Sequence, residues 1–282
     1  MKTIVLFNPK ANNDQGEAEA KKLTDLLKDK ELDFKNIIEI SSYEEFFKSL
    51  GSDDEIVICG GDGTLNHFVN DTYVFRIDND VYYYPTGSGN DFYHDVHGGD
   101  EKELVKINEY IVNLPKVTVN SKTYRFLNGI GFGIDGYCCE IGDKQREESD
   151  KPVNYTSIAI KGLLFHYKTT NATVTVDGEE HKFSKVWLAP TMNGRFYGGG
   201  MMPTPDQKRI SDDKKLSVMV MSGSGKLPTL VAFPKIFEGK HVENKMTSVF
   251  TGKKIKVEFD SPTALQIDGE TILDVTEYEA EV

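Results

Sequence analysis

The chain of 282 residues has few cysteines and no long hydrophobic run. Its 3 cysteines are an odd number, and their positions do not follow the spacing of a metal site. The first apolar run begins at Ile4 and ends at Phe7, which is too short for a signal peptide. No later stretch approaches the ~20 apolar residues of a membrane-spanning helix. We therefore expect a cytoplasmic protein that is at most peripheral to a membrane.

Positive charge is also scarce, because 33 Lys and Arg stand against 45 Asp and Glu, a net charge of −12. This balance argues against nucleic acid as a partner. The exception is the stretch 214–256, which holds 9 Lys against 2 Glu, a local charge of +7. Such a segment predicts transient contact with an anionic membrane surface. The alternative is that these lysines form the solvated faces of strands and a helix, and a homodimer is equally left open.

Strand and helix patterns alternate over the first ~115 residues, which predicts a wound α/β domain over residues 1–116. We expect strands at 4–7, 37–40, 55–59 and 81–84, with helices at about 16–29, 42–50 and 101–113 and a further helix that carries Leu65, Phe68 and Val69 after the strand at 55–59. Residues 117–282 are instead rich in β-branched and alternating segments, which predict an antiparallel sheet or sandwich. Its expected strands are 116–119, 122–127, 172–176, 182–190, 216–221, 253–259 and 272–282, and its expected helices lie near 156–167 and 227–237.

The clearest motif follows the buried strand at 55–59 and reads Gly60-Gly61-Asp62-Gly63-Thr64-Leu65-Asn66. Its glycines expose backbone N–H groups and let a polyanion approach the main chain closely. The apolar residues after it recur at helical spacing, so the turn opens a helix whose N-terminus favours phosphate. Asp62 is then a candidate for holding Mg²⁺ on a nucleotide. The alternative is a tight strand-to-helix turn with an aspartate cap.

Three further motifs accompany this turn. Asn8-Pro9-Lys10-Ala11-Asn12 follows the first strand, Gly87-Ser88-Gly89-Asn90-Asp91-Phe92 follows the fourth, and Gln266-Ile267-Asp268-Gly269-Glu270 lies near the C-terminus. Together the four motifs resemble the catalytic domain of diacylglycerol kinases, in particular the bacterial soluble lipid kinases. Sphingosine, ceramide and NAD kinases are similar at a greater distance. The resemblance covers nearly the whole chain, and the segment ending in Asn90-Asp91-Phe92 is what indicates the lipid branch.

The resemblance implies a nucleotide-binding α/β domain, a β-sandwich lipid domain and an active site in the cleft between them. It implies ATP and Mg²⁺ as cofactors, with ATP bound by residues 8–12, Ser41, residues 60–66 and Ser88. It places Asn90 and Asp91 at the substrate cleft. From the residues alone, the two serines and the Asn-Asp pair are as readily helix or turn caps, and Lys10 a solvated loop lysine. Ala11 and Asn12 depart from the family's Ser-Gly, although asparagine tolerates the left-handed conformation.

The resemblance also assigns Glu270 as the base that takes the proton of the lipid hydroxyl. Without it, Asp268-Gly269 between two β-rich segments predicts only a hairpin turn. Asp177-Gly178-Glu179 carries the same three letters and is interpreted as a turn. By resemblance, Asp213 binds a structural Mg²⁺ with the carbonyls of Ile210 and Lys215, the alternative being a charged loop.

The expected function is therefore transfer of the γ-phosphate of ATP to a lipid hydroxyl, with diacylglycerol giving phosphatidic acid as the first candidate. One alternative is an NAD-kinase-like enzyme with a soluble acceptor, against which Asn90-Asp91-Phe92 and the basic stretch argue. The other is a non-catalytic sensor of nucleotide or lipid. At Asn12, His94 and Lys214 the chain departs from the residues usual in the family, and these departures keep the sensor alternative open.

Overall fold

Two structural units make up the chain, Met1–Asn113 and Leu114–Val282. The computed structural model describes residues 1–99, 101–149 and 153–282. The first unit is an α/β domain with a mainly parallel sheet, and the second is built on an antiparallel sheet. The fold class predicted from the sequence is therefore confirmed at this level.

The sheet of the first unit has five strands in the order β2-β1-β3-β4-β5. These are β1 (Thr3–Phe7), β2 (Leu32–Asn36), β3 (Glu55–Gly60), β4 (Val81–Pro85) and β5 (Val105–Lys106). The first four run parallel, and β5 lies antiparallel to β4. Strands β1 and β3 are almost entirely buried, as expected of apolar central strands in a parallel sheet. Their carboxyl ends share one edge, which Asn8, Gly61 and Thr86 therefore reach together.

Short helices connect these strands. They are α1 (Ala11–Asp14), α2 (Gly16–Lys21), α3 (Leu23–Leu26), α4 (Tyr43–Lys48), α5 (Asp62–Thr72), α6 (Asp91–His97) and α7 (Asn108–Ile111), with a 3₁₀ turn at Ile37–Glu39. Helix α4 lies within the range predicted at 42–50, and Ser42 caps it, because the Ser42 hydroxyl accepts the N–H of Glu45 at 3.3 Å. The helix expected after the glycine turn is α5, also as predicted.

Three predictions for the first unit are wrong. The strand expected at 37–40 lies at Leu32–Asn36, because the Asn36 side chain accepts the N–H of Ile38 at 3.1 Å and starts a 3₁₀ turn there. The helix expected at 16–29 is broken into the short pieces α2 and α3. The helix expected at 101–113 is largely absent from the described residues, since β5 pairs with the edge of β4. Asn108 then bonds to the N–H of Val81 at 2.8 Å, which leaves room only for α7.

The second unit contains ten strands among its described residues. They are β6 (Lys116–Val119), β7 (Lys122–Arg125), β8 (Gly129–Phe132), β9 (Thr170–Val176), β10 (Glu179–Val186), β11 (Thr191–Met192), β12 (Leu216–Met221), β13 (Thr247–Gly252), β14 (Lys254–Ile267) and β15 (Glu270–Glu281). The long strand β14 pairs with β15 along its length, with β9 in its first part and with β8 in its last part. Every predicted strand of this unit is found, β6 and β12 at the predicted bounds and the others with shifted ends, while β8, β11 and β13 were not predicted.

The helices of the second unit pack on one apolar cluster that includes Trp187 and Leu188. They are α8 (Ile134–Glu148), α9 (Tyr155–Lys161), a π turn (Gly162–His166), α10 (Lys226–Ala232) and 3₁₀ turns at Phe233–Glu238 and Lys240–Glu243. Helix α8 was not predicted, although Ile134, Cys138 and Ile141 recur at helical spacing. Within the described part of the chain, no helix combines the length and apolarity needed to cross a membrane.

Candidate active site

Three loops meet at the carboxyl edge of the first sheet. The Asn8 side-chain amide donates to the Thr64 hydroxyl oxygen at 3.0 Å, which links the loop after β1 to the start of α5. The N–H of Thr86 donates to the carbonyl of Gly60 at 2.9 Å, which links the loop after β4 to the end of β3. The structure thus brings the motifs at residues 8–12, 60–66 and 87–92 to one place.

Glycine is required where two of these loops touch. A Cβ atom on Gly87 would lie 2.5 Å from the Cα atom of Gly61. A Cβ atom on Gly60 would lie 2.4 Å from the Cβ atom of Thr64. Gly63 differs, because a Cβ atom there would meet no atom within 4 Å. Gly60 and Gly87 therefore serve the packing of the loops, whereas Gly63 faces open space.

A cavity of about 390 Å³ lies over these loops. Its lining residues are Asn8, Ala11, Asn12, Gly61, Asp62, Gly63, Thr64, His67, Gly87, Ser88 and Gly89. Asn12 adopts the left-handed conformation (φ 52°) that its place in the turn requires. Because Asn8 donates to the oxygen of Thr64, the hydroxyl hydrogen of Thr64 remains able to donate to a ligand. The cavity therefore offers N–H and O–H donors at a helix N-terminus, an arrangement that suits phosphate.

Several residues predicted to bind ATP lie elsewhere. Leu65 is fully buried in the core, and the Asn66 side chain accepts the amide of Asn70 at 2.8 Å. Ser41 and Lys10 are exposed and do not line the cavity. Pro9 and Gly60 do not line it either. His67 was missed by the sequence reasoning. It follows Gly63 by four residues, so helical spacing alone would have placed it on the same face of α5.

Asp62 connects the glycine turn to the next motif. Its two carboxylate oxygens accept the N–H groups of Asp91 and Phe92, each at 2.9 Å, and so cap helix α6. Asn90 closes the preceding turn, since its side chain accepts the N–H of Gly87 at 3.0 Å and donates to its carbonyl at 2.8 Å. Asn90 and Asp91 are themselves buried. Asp62 also lines the cavity, and carboxylate oxygens are ligands that Mg²⁺ prefers, so Asp62 is the candidate for holding Mg²⁺ or its water shell.

In the second unit, Glu270 lies at the end of a rigid hairpin. Asp268 (φ 46°) and Gly269 (φ 95°) form the two-residue turn between β14 and β15, and the exposed Glu270 begins β15. The Asp268 carboxylate accepts the N–H groups of Leu127, Asn128 (2.8 Å) and Gly129 (2.9 Å). The turn is therefore anchored to the start of β8, which fixes the backbone that carries Glu270.

A second carboxyl group of this unit was missed by the sequence reasoning. Asp135 lies in the first turn of α8 and is 7% exposed. The Tyr197 hydroxyl donates to its Oδ2 at 2.7 Å, while Oδ1 is buried with no hydrogen-bond partner among the described residues. Burial raises the pKa of Asp135 to about 7, against the smaller lowering effect of Tyr197. This carboxyl group can therefore exchange a proton near neutral pH.

The predicted magnesium site at Asp213 fits poorly. The Asp213 carboxylate is paired with the Lys215 ammonium group at 2.7 Å, and this pairing lowers the pKa of Asp213. The Lys215 carbonyl accepts the Gln207 amide at 2.8 Å. In the described ranges no group of three or more His, Cys, Asp or Glu side chains could hold a metal ion. A site formed by Asp213, Ile210 and Lys215 stays a prediction, and no chemistry below depends on it.

Comparison with known proteins matches both units. Residues 2–117 match the family model of the diacylglycerol kinase catalytic domain. Residues 128–279 match that of the YegS C-terminal NAD kinase beta sandwich-like domain.

Individual relatives are distant. The chain is 23% identical over 236 residues to "Putative lipid kinase YtlR" of Bacillus subtilis (strain 168), covering 76% of this chain and 73% of the relative. It is 24% identical over 213 residues to "Diacylglycerol kinase" of Mycobacterium tuberculosis (strain ATCC 25618 / H37Rv), covering 73% and 67%. A solved structure titled "Crystal structure of a putative diacylglycerol kinase from Bacillus anthracis str. Sterne" superposes with a TM-score of 0.65 at 20% identity, covering 99% of this chain and 91% of that one. The last likeness concerns the fold alone.

Proposed function

The chain belongs to the diacylglycerol kinase catalytic-domain family of lipid kinases, and on that premise we propose that it transfers the γ-phosphate of ATP to a lipid hydroxyl. Diacylglycerol, which would give phosphatidic acid, is the first candidate acceptor. The observation that carries the proposal is the cavity at the N-terminus of α5, which is lined by Gly61, Asp62, Gly63 and Thr64.

In this proposal the first unit binds the phosphates of ATP. The N–H groups around Gly61 and Gly63 and the hydroxyl of Thr64 donate to phosphate oxygens, and the dipole of α5 favours their negative charge. Asp62 would hold Mg²⁺, which neutralises charge on the transferring phosphate when bound. Asp62 also caps α6, so the same side chain positions the segment at Asn90 and Asp91.

Glu270 is the proposed general base. As the lipid hydroxyl oxygen bonds to the γ-phosphorus, the bond to the β-bridging oxygen breaks and ADP leaves. The proton of the hydroxyl passes to the Glu270 carboxylate. The exposure of Glu270 on an anchored hairpin supports this assignment, because a base has to reach its substrate from a fixed backbone.

The test is transfer of labelled γ-phosphate from ATP, with Mg²⁺, to diacylglycerol in mixed micelles. Gly63→Ala is the informative variant, because its methyl group would meet no protein atom within 4 Å and Gly63 lines the cavity proposed for the phosphates. We expect a labelled lipid from the wild type, unchanged thermal stability for Gly63→Ala, and transfer reduced about tenfold or more.

Other outcomes identify the alternatives. Transfer to NAD that is independent of micelles would indicate a soluble-acceptor kinase. ATP binding without turnover on glycerol, sphingoid or isoprenoid lipids would indicate a sensor. Normal transfer by Gly63→Ala would show that the nucleotide does not use this cavity.

A further inference from the structure

Helix α10 presents an apolar face to solvent. Leu227 and Val231 are each 71% exposed and lie one turn apart, whereas Thr229 and Ala232 are buried. A helix on the surface of a globular protein normally has the opposite arrangement, with its apolar side toward the core. The exposed side chains of α10 therefore indicate an interaction surface.

A third exposed side chain joins this face. Phe165, in the π turn, is also 71% exposed. The π turn packs against α10, and the Lys226 ammonium group donates to the Leu164 carbonyl at 2.8 Å. This bond holds the residue before Leu227 against the residue before Phe165. Phe165, Leu227 and Val231 form what we call the apolar ridge.

The two segments that carry the apolar ridge hold charged side chains of one sign as far as Phe237, after which Glu238 is paired with Lys240. Residues 153–168 and 222–237 contain 4 Lys and no Asp or Glu, in a chain of net charge −12. The four lysines, Lys161, Lys168, Lys226 and Lys235, are all exposed. Exposed apolar side chains with exposed lysines in the same two segments match the interface of an anionic bilayer, where the apolar side chains enter the acyl boundary and the ammonium groups meet lipid phosphates.

We propose that the apolar ridge and its lysines dock this chain on an anionic membrane. The proposal deepens the proposed function, on which it rests for its reason, since a lipid substrate resides in such a surface. Of the lysines in the basic stretch 214–256, the proposal assigns only Lys226 and Lys235 to the membrane-docking surface. It assigns Lys161 and Lys168, which lie outside that stretch, to the same surface.

The experiment is co-sedimentation of the full chain, without ATP, with vesicles of phosphatidylcholine or of phosphatidylcholine and phosphatidylglycerol. The ridge variant is Phe165→Gln/Leu227→Gln/Val231→Gln. The matched control is Val74→Gln in the first unit, where Val74 is 70% exposed. We expect the wild type and the control to bind anionic vesicles equally, the ridge variant at least tenfold more weakly, and high salt to weaken binding.

A second variant, Lys161→Gln/Lys168→Gln, keeps the ridge and is expected to lose the preference for phosphatidylglycerol. Thermal melting checks that each variant is folded. Equal binding by ridge variant and wild type, or no binding by the wild type, would overturn the proposal. So would a wild-type dimer that the ridge variant dissociates, because the ridge would then join two copies of the chain.

Activity on a short-chain, water-soluble diacylglycerol separates this proposal from the proposed function. If the chain is a lipid kinase, the ridge variant keeps that activity while it loses vesicle binding. If the chain is no kinase, vesicle binding still decides the docking surface.

Discussion

The two Asp-Gly-Glu segments of the second unit have the same letters and the same backbone. Asp177 and Gly178 have φ of 49° and 91°, and Asp268 and Gly269 have φ of 46° and 95°. Each pair forms the two-residue turn of a β-hairpin, as such dipeptides favour. The local sequence therefore dictates the turn in both places and cannot by itself distinguish their functions.

The surroundings distinguish them. Both aspartates accept backbone N–H groups, Asp177 from the exposed Lys253 and Lys254, Asp268 from Leu127, Asn128 and Gly129, which are buried. Both glutamates are exposed and begin the second strand of their hairpins, but Glu179 has His181 at 3.8 Å, whereas the strand that Glu270 begins packs against α8. The next residue, Thr271, donates to Asp143 of that helix at 2.6 Å. The same motif is thus a solvated turn in one place and an anchored support in the other.

The largest stability difference is expected between Asp268→Ala and Asp177→Ala. Removing Asp268 leaves three buried N–H groups without their acceptor, so we expect a loss of about 3 kcal/mol or more in the free energy of unfolding. Removing Asp177 exposes N–H groups that water can reach, so we expect about 1 kcal/mol or less. Urea unfolding of the two variants measures both values, and equal losses would contradict the comparison.

Asp135 can be compared with Asp268 as a second anchored carboxyl group of this unit. The Asp135 carboxyl group accepts one hydroxyl donor, whereas the Asp268 carboxylate accepts three N–H donors. In the unfolded chain an aspartate ionises near pH ~4, whereas in the folded chain the pKa of Asp135 is about 7. Between these values the folded state binds more protons, so its stability falls as the pH rises.

We expect Asp135→Asn to remove this fall, which amounts to about 2 kcal/mol between pH ~5 and ~7. Unfolding curves of wild type and variant across that range measure the difference. A constant difference at every pH would show that Asp135 is already ionised throughout.

The smallest and most nearly equal effects are expected for Gly178→Ala and Gly269→Ala. Both glycines have positive φ, and a Cβ atom at either would meet no atom within 4 Å. Each substitution should therefore cost only the strain of the left-handed backbone, about 1 kcal/mol. Unequal losses would show that the two turns are not alike, which contradicts the first half of the comparison.

The sequence predicted best where the local pattern and the tertiary contacts agree. Strands Lys116–Val119 and Leu216–Met221 were predicted at their observed bounds, because each is a β-branched or apolar run that also fills the core. The strand at Leu32–Asn36 and the pair Val105–Lys106 were missed. These two segments are strands because they pair with β1 and β4, and their own sequences show no strand pattern that predicts the pairing.

The candidate site shows the same division. The proximity of the loop at residues 8–12 to the glycine turn can be derived from the rule that parallel strands end at one edge of a sheet. The cap that Asp62 gives to α6 did not, because its partners are 29 and 30 residues away and only the fold brings them together. Asp135 was missed for a similar reason, since its hydrogen-bond donor Tyr197 lies 62 residues further along the chain.

The most direct test of the account compares Glu270→Gln with Glu179→Gln in the transfer of labelled phosphate to diacylglycerol. Both variants replace a carboxylate by an amide after an Asp-Gly turn, so they share any general effect of the change. We predict a loss of about 100-fold or more in kcat for Glu270→Gln, with the free energy of unfolding unchanged, and less than about twofold for Glu179→Gln. Full activity of Glu270→Gln, or equal losses in the two variants, would contradict the assignment of Glu270 as the base.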